Sequence, residues 1–105
     1  MSDVAVSVTF RHIEPTAALK DYVENKIRRI GKYFTRPLEA HVILALDVRQ
    51  QQVAEIELHM HGDKIHCKET NGDLYAAIDL VIDKIERQIT KRKDKSKDSR
   101  RRARP

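Results

Sequence analysis

The sequence predicts an α+β fold of order β-α-β-β-β-α: a four-stranded mixed sheet with two helices packed on one face. Three observations lead there. Four segments alternate apolar and polar residues with the period of a strand, and two segments repeat apolar residues at helical spacing. The chain has 105 residues, 40% apolar and 35% charged, which suits one domain with one core under a charged surface. A helix between the first two strands must be a crossover, so if those strands are neighbours they are parallel, with a right-handed connection. The later strands can pair as a meander. Each strand has one mainly apolar face, which places both helices on the same side.

The elements follow in order. Val4, Val6, Val8 and Phe10 alternate with Ala5, Ser7 and Thr9, the pattern of a strand with one buried face. HIEP breaks the pattern, and Thr16 after Pro15 is a natural N-cap for a helix starting at Ala17. Leu19, Val23, Ile27 and Ile30 form its apolar stripe, Gly31 is a stop signal, and Phe34 extends the stripe if the helix continues. RPLEA is expected to turn the chain. Val42, Leu44, Leu46 and Val48 then form one face of a second strand. RQQQ is a polar turn without the Asn-Gly signature of a two-residue hairpin. Ala54, Ile56, Leu58 and Met60 face one way in the third strand, opposite Glu55, Glu57, His59 and His61. After the Gly62-Asp63 turn, Ile65 and Cys67 alternate with Lys64, His66 and Lys68 in a short fourth strand. Asp73 can cap the last helix, whose stripe is Leu74, Ile78, Val81, Ile82, Ile85 and Ile89. Polar, helix-compatible sequence continues to about Lys95. Residues 1–95 are expected to form the domain, and 96–105, SKDSRRRARP, a basic disordered tail.

The charge is unevenly spread. The net value is +5, but residues 84–105 hold eleven Lys/Arg against Glu86, Asp94 and Asp98, a net +8. Residues 1–83 hold ten Lys/Arg against thirteen Asp/Glu, a net −3. A local basic block on an otherwise acidic protein points to an anionic partner, with nucleic acid the commonest. Within the last helix, acids gather in the first half (Asp73, Asp79, Asp83) and bases in the second. Matching the helix dipole explains that polarity at about 0.3–1 kcal/mol per charge, but it does not explain so large an excess of cations. Asp83 is placed to pair with Arg87 at i, i+4.

Other classes find little support. A single cysteine excludes an internal disulfide framework and suits a reducing compartment. MSDVAVSVTF lacks the basic start of a signal peptide, and no apolar run approaches a membrane span, so a cytoplasmic protein is expected. Neither a P-loop nor GxGxxG occurs, Cys67 is expected on a buried strand face, and Glu55 and Glu57 read as ordinary sheet carboxylates. No catalytic site and no cofactor is expected. His59, His61 and His66 share a sheet face, but Cys67 should point to the opposite one, and zinc needs three or four converging ligands. No metal site is expected.

NGDLYAAIDLVIDKIERQITKRKDK resembles the signature of the ribosome hibernation factors, also called sigma-54 modulation proteins, ribosomal subunit interface proteins or ribosome-associated translation inhibitors. The family pattern has an acidic and an apolar residue before Tyr-Ala-Ala-Ile-Asp, then Ile-Asp-Lys, Arg-Gln and a ladder of alternate lysines. Here these are Asp73 to Asp79, Ile82 to Lys84, Arg87 with Gln88, and Lys91, Lys93 and Lys95. TAALKDYVENKIRRIGKYF is similar to the family's first helix, which ends in Lys-Tyr-Phe, here Lys32 to Phe34. The resemblance covers about residues 4–95 and is closest to the family's short form. It implies a stress or stationary-phase factor that binds 16S rRNA of the small (30S) subunit in the channel between head and body. Messenger and transfer RNA would be excluded by occupancy, leaving inactive single ribosomes (70S) or ribosome dimers (100S).

The residues carrying this role are expected to be Lys84, Arg87, Lys91 and Lys95, which share a helix face, with Arg92 and Lys93 beside them. Lys26, Arg29 and Lys32 extend the surface if the two helices pack side by side. Phosphate contact by cationic arms on a rigid element is salt-sensitive and reads RNA shape. Base stacking is expected to be secondary, since 84–105 holds no aromatic residue, and Tyr33, Phe34 and Tyr75 read as packing residues. The protein is expected to act as a monomer, without membrane or small-molecule partner. The alternative is a general double-stranded RNA-binding module, whose α-β-β-β-α layout is related. Such modules place lysines at the start of the final helix, whereas this helix begins with Asp73. A transcriptional role rests only on the historical family name, since no helix-turn-helix is evident.

Overall fold

The computed structural model describes residues 3–102, with side chains described from Asp3 to Arg92. The order is β1 (Val4–Arg11), α1 (Ala17–Arg28), a 3-10 turn (Arg29–Tyr33), β2 (Leu38–Leu46), β3 (Gln52–Met60), β4 (Asp63–Asn71) and α2 (Leu74–Arg102). The strands form one sheet in the order β1-β2-β3-β4. β1 and β2 are parallel, in register from Val4 opposite Leu38 to Arg11 opposite Ala45. The other two pairings are antiparallel. The predicted fold class is therefore the observed one.

Local chemistry explains the helix starts. Thr16 has extended backbone angles, and its hydroxyl oxygen accepts from the Leu19 N–H at 3.2 Å, satisfying a first-turn donor. Asp73 does the same for α2, its carboxylate accepting from the Tyr75 N–H at 3.1 Å. At its far end α1 tightens into the 3-10 turn instead of stopping at Gly31. This keeps Ile30 fully buried and turns Tyr33 towards α2, where its hydroxyl finds Glu86.

Two strand limits differ from expectation. RPLEA does not merely turn the chain, because β2 already begins at Leu38, whose N–H donates to the Asp3 carbonyl at 3.0 Å. That acceptor, on the residue just before the parallel partner β1, is 35 positions away, so the local pattern could not reveal it. At the other end Val48 is not a core residue: it is 98% exposed in the β2–β3 loop. Asp47 closes this loop, its carboxylate accepting from the Arg49 and Gln51 N–H groups at 2.8 and 2.9 Å. Gln50 takes the left-handed conformation (φ 65°) that lets the strands meet beyond it.

The core lies between the sheet and both helices. Val23, Ile27 and Ile30 from the α1 side meet Val42, Leu44, Ile56, Leu58 and Ile65 of the sheet. All six predicted stripe residues of α2 are buried, together with Ala77. β1 is an edge strand, and Val4, Val6, Val8 and Phe10 are only partly covered. Beyond Ile89 the α2 backbone continues to Arg102, through residues 96–102 of the segment expected as a tail; residues 103–105 are outside those described. Among the described residues, no helix is long and apolar enough to cross a membrane.

Ile85 is fully buried in the middle of this interface. Ile85→Ala is expected to cost about 2–5 kcal/mol, a large part of the stability of a small domain. Urea denaturation should show it as a lower midpoint with an unchanged slope.

Candidate nucleic-acid interface

Burial of its apolar stripe sets the rotation of α2 and sends its charged residues to two different flanks. On the flank facing α1 stand Asp79 and Glu86, seven residues apart. The Tyr22 hydroxyl donates to Asp79 Oδ1 at 2.5 Å, and Lys26 Nζ lies 3.5 Å from the same oxygen. About two turns further along, the Tyr33 hydroxyl donates to Glu86 Oε2 at 2.8 Å. Lys26 and Lys32 sit over the Tyr22 and Tyr33 rings, at 5.3 and 5.1 Å from the centroids. Tyr75 closes the row, packing edge-on to Tyr22 with centroids 4.9 Å apart. The acidic half of α2 thus ties the two helices together. The phenols were not recognised as part of this system in the sequence. The available signal was matched spacing: acids seven apart on α2, against a phenol and a cation four apart on α1.

On the opposite flank Lys84, Arg87 and Lys91 are exposed and share one face, as their spacing predicts. Lys84 Nζ meets Glu69 of β4 at 3.1 Å, with the two side chains 49% and 30% exposed. A pair this open is worth about 0–1 kcal/mol and can be exchanged for a phosphate. The Asp83–Arg87 pair expected from i, i+4 spacing does not form, and among the described residues neither Arg87 nor Lys91 has a carboxylate partner.

Arg92 stands apart from this face. It is three residues past Ile89, the end of the apolar stripe, and turns down to the β3–β4 turn. There it pairs with Asp63 and donates to the Lys64 carbonyl at 3.4 Å. The side chains of Lys93 and Lys95 lie outside the described residues. Lys26, Arg29 and Lys32 are on the far side of the seam between the helices. Lys26 is engaged by Asp79 and Lys32 by the Tyr33 ring, while Arg29 is exposed. The described structure therefore groups Lys84, Arg87 and Lys91, and separates the α1 cations from them by the row of carboxylates.

The open face of the sheet is chequered with histidine and glutamate. His41 lies 3.1 Å from Glu39, His59 lies 2.7 Å from Glu57, and His66 pairs with Glu55. The His41 and His59 rings meet edge-on at 5.2 Å, and Ser7 Oγ is 2.8 Å from His41 Nδ1. His61 is in the turn after β3, away from this array. Among the described residues no three His, Cys, Asp or Glu side chains converge as a metal site would need. On the other face burial pushes the Cys67 thiol above its usual range, which favours the unreactive protonated form, and its Sγ accepts from Gln88 Nε2 at 3.7 Å.

The hydrogen bond to Asp79 pushes the Tyr22 phenol up to about 12, and that to Glu86 moves Tyr33 in the same direction. The raised value means that the neutral phenol stabilises the fold below the unfolded value near 10 and that this contribution is lost as pH rises through about 12. In an ultraviolet titration, Tyr22→Phe is expected to delete the latest-ionising tyrosine, and Asp79→Asn to bring that ionisation to lower pH.

Comparison with known proteins fits this geometry. Residues 6–97 match the family described as sigma 54 modulation protein / S30EA ribosomal protein. A ribosome hibernation promoting factor of Klebsiella oxytoca is 37% identical over 92 residues, covering 88% of this chain and 96% of that protein. One of Azotobacter vinelandii is 38% identical over 90 residues, covering 86% and 83%. Among solved structures, the N-terminal domain of Thermus thermophilus Protein Y superposes with a TM-score of 0.76 at 34% identity, over 83% of this chain and 97% of that domain. A ribosomal subunit interface protein of Coxiella burnetii shares the fold, with a TM-score of 0.75 at 20% identity over 86% and 98% of the two chains. With 92 contiguous residues matched, taking in α1, β2, β3 and β4 whole and most of β1 and α2, this chain belongs to the sigma 54 modulation / S30EA ribosomal protein family.

Proposed function

We propose that this protein silences ribosomes under stress or in stationary phase by occupying the small subunit. In this reading it binds 16S rRNA in the channel for messenger and transfer RNA and blocks translation by bulk, without catalysis. The observation that carries the reading is the cationic flank of α2. Lys84, Arg87 and Lys91 are exposed along a helix whose opposite stripe is locked into the core. Such a rod presents its charges with little loss of backbone freedom, which suits the phosphate lattice of folded RNA. The names of the relatives, which cover most of this chain, support the ribosome as the partner. Lys93 and Lys95 extend the same basic run, and Arg29 contributes from across the seam. One chain acts on one subunit.

The runner-up, a general duplex-RNA module, fits less well. The first turn of α2, where such a module needs lysines, is headed by Asp73, and the first cation on the helix is Lys84.

Replacing Lys84, Arg87 and Lys91 together by Gln is expected to lower affinity for small subunits more than tenfold at physiological salt, read by co-sedimentation. If three phosphate contacts are lost, the slope of log K against log salt should fall by about 2–3. Urea unfolding should be nearly unchanged, since none of the three is buried. Unchanged co-sedimentation would remove the site assignment. Tight duplex-RNA binding without subunit binding would favour the runner-up. Sucrose gradients of whole ribosomes would separate inactive single particles from dimers.

A further inference from the structure

The two edges of the sheet, β1 and β4, are built differently. β4 carries Asp63, Lys64, Lys68 and Glu69, and charge along an edge discourages another strand from adding to it. From Val4 to Phe10, β1 holds no charge, no proline and no glycine. Its peptide groups are open as well. The Asp3 carbonyl accepts from the Leu38 N–H, so the odd-numbered residues of β1 turn their peptide groups towards β2. The N–H and C=O groups of Val4, Val6, Val8 and Phe10 therefore point to the outer edge, where, among the described residues, no strand meets them. The side chains of the same four residues lie on the core side of the sheet and are only partly covered. β1 thus lacks a neighbour both in hydrogen bonding and in packing.

We propose that this edge takes a second copy of β1, antiparallel and centred on Ser7, so that two free chains share one continuous sheet. The sequence of β1 selects that register. Only even-numbered residues offer peptide groups to the edge, so hydrogen-bonded pairs must set even against even. With Ser7 facing its own counterpart, Val6 meets Val8 of the second copy and Val4 meets Phe10. Each such pair exchanges two hydrogen bonds and extends the apolar layer. On the outer face Asp3 meets Arg11 of the second copy, once at each end, at the close spacing of a non-hydrogen-bonded pair. Among the described residues neither Asp3 nor Arg11 has an ion-pair partner in its own chain. Sliding the strands by two residues either way sets Asp3 against Thr9 or Ile13 and breaks both pairs. A strand of another protein would use the same peptide groups, but the reciprocal placing of Asp3 and Arg11 about Ser7 singles out a second copy, since a two-fold axis makes every contact twice. α2 packs on β3 and β4, towards the far edge, so pairing through β1 leaves both cationic flanks uncovered. The inference is independent of the RNA-binding reading. It concerns the free chain, and one chain per subunit remains the bound form.

Sedimentation equilibrium of the full chain is expected to show monomers and dimers in exchange between micromolar and millimolar concentration. Arg11→Glu sets like charges opposite each other at both ends of the pair and should weaken association about 3- to 10-fold. Adding Asp3→Lys to that variant should restore it. Both positions are exposed, so the fold should be unchanged by circular dichroism. Under mild oxidation Ser7→Cys is expected to give a disulfide-linked dimer, because the two Cα atoms of such a pair lie within disulfide reach. Thr9→Cys, set opposite Ala5 of the second copy, should remain monomeric under the same conditions. Cys67 is buried and stays out of both reactions. A chain that is monomeric at millimolar concentration would overturn the proposal. So would a dimer indifferent to Arg11→Glu, a double variant no stronger than the single one, or equal cross-linking of the two cysteine variants.

Discussion

The constraint on which the rest depends is the apolar stripe of α2 pressed onto the sheet. Leu74, Ala77, Ile78, Val81, Ile82, Ile85 and Ile89 are buried along a single side of the helix. Once that side is down, every other residue of α2 has a fixed bearing. Asp79 and Glu86 must face α1. Lys84, Arg87 and Lys91 must face away from it. Nothing in the charges themselves requires this separation. It follows from a period of 3.6 residues and one dehydrated face.

The seam between the helices shows how a strongly basic surface can coexist with a row of carboxylate contacts on the same helix. Two phenols each donate to a carboxylate of α2, and two lysines rest on the phenol rings. The acids are therefore occupied by neutral donors and by cations of α1, and they are held back from the cations on the far flank. Among the described residues, the internal pairs that involve the basic run are of two kinds. Lys84–Glu69 is open to solvent and exchangeable. Arg92–Asp63, backed by the Lys64 carbonyl, braces α2 against the β3–β4 turn at the point where core contacts end.

The two faces of the sheet have different tasks. The inner face carries the core. The outer face keeps its histidines beside glutamates, three pairs on neighbouring strands, and so presents balanced polarity and no concentrated charge. The exposed cations Lys84, Arg87 and Lys91 stand instead in the helical layer.

Periodicity is a local property, and it determined what local patterns can: six elements, their order, the Thr16 and Asp73 caps, the α2 stripe and the shared face of Lys84, Arg87 and Lys91. The family was also legible, because its motif is a long contiguous run on one helix. What the pattern missed depends on partners distant in sequence. Leu38 starts β2 because Asp3, just before β1, offers it a carbonyl, and Val48 drops out because Asp47 folds the loop around itself. Asp83 stays apart from Arg87 although their spacing allows contact. Arg92 belongs by sequence to the basic run but is turned by the end of the buried stripe towards Asp63. Tyr33 reads as a packing residue, and Tyr22 carries no signal of its own, until α1 lies against α2 and each phenol finds a carboxylate. The sequence by itself determined which faces are greasy and which are charged. Only the tertiary structure decided which charges are spent inside the molecule and which remain for a partner, because that choice depends on which side chains the packed helices and sheet bring within hydrogen-bonding reach.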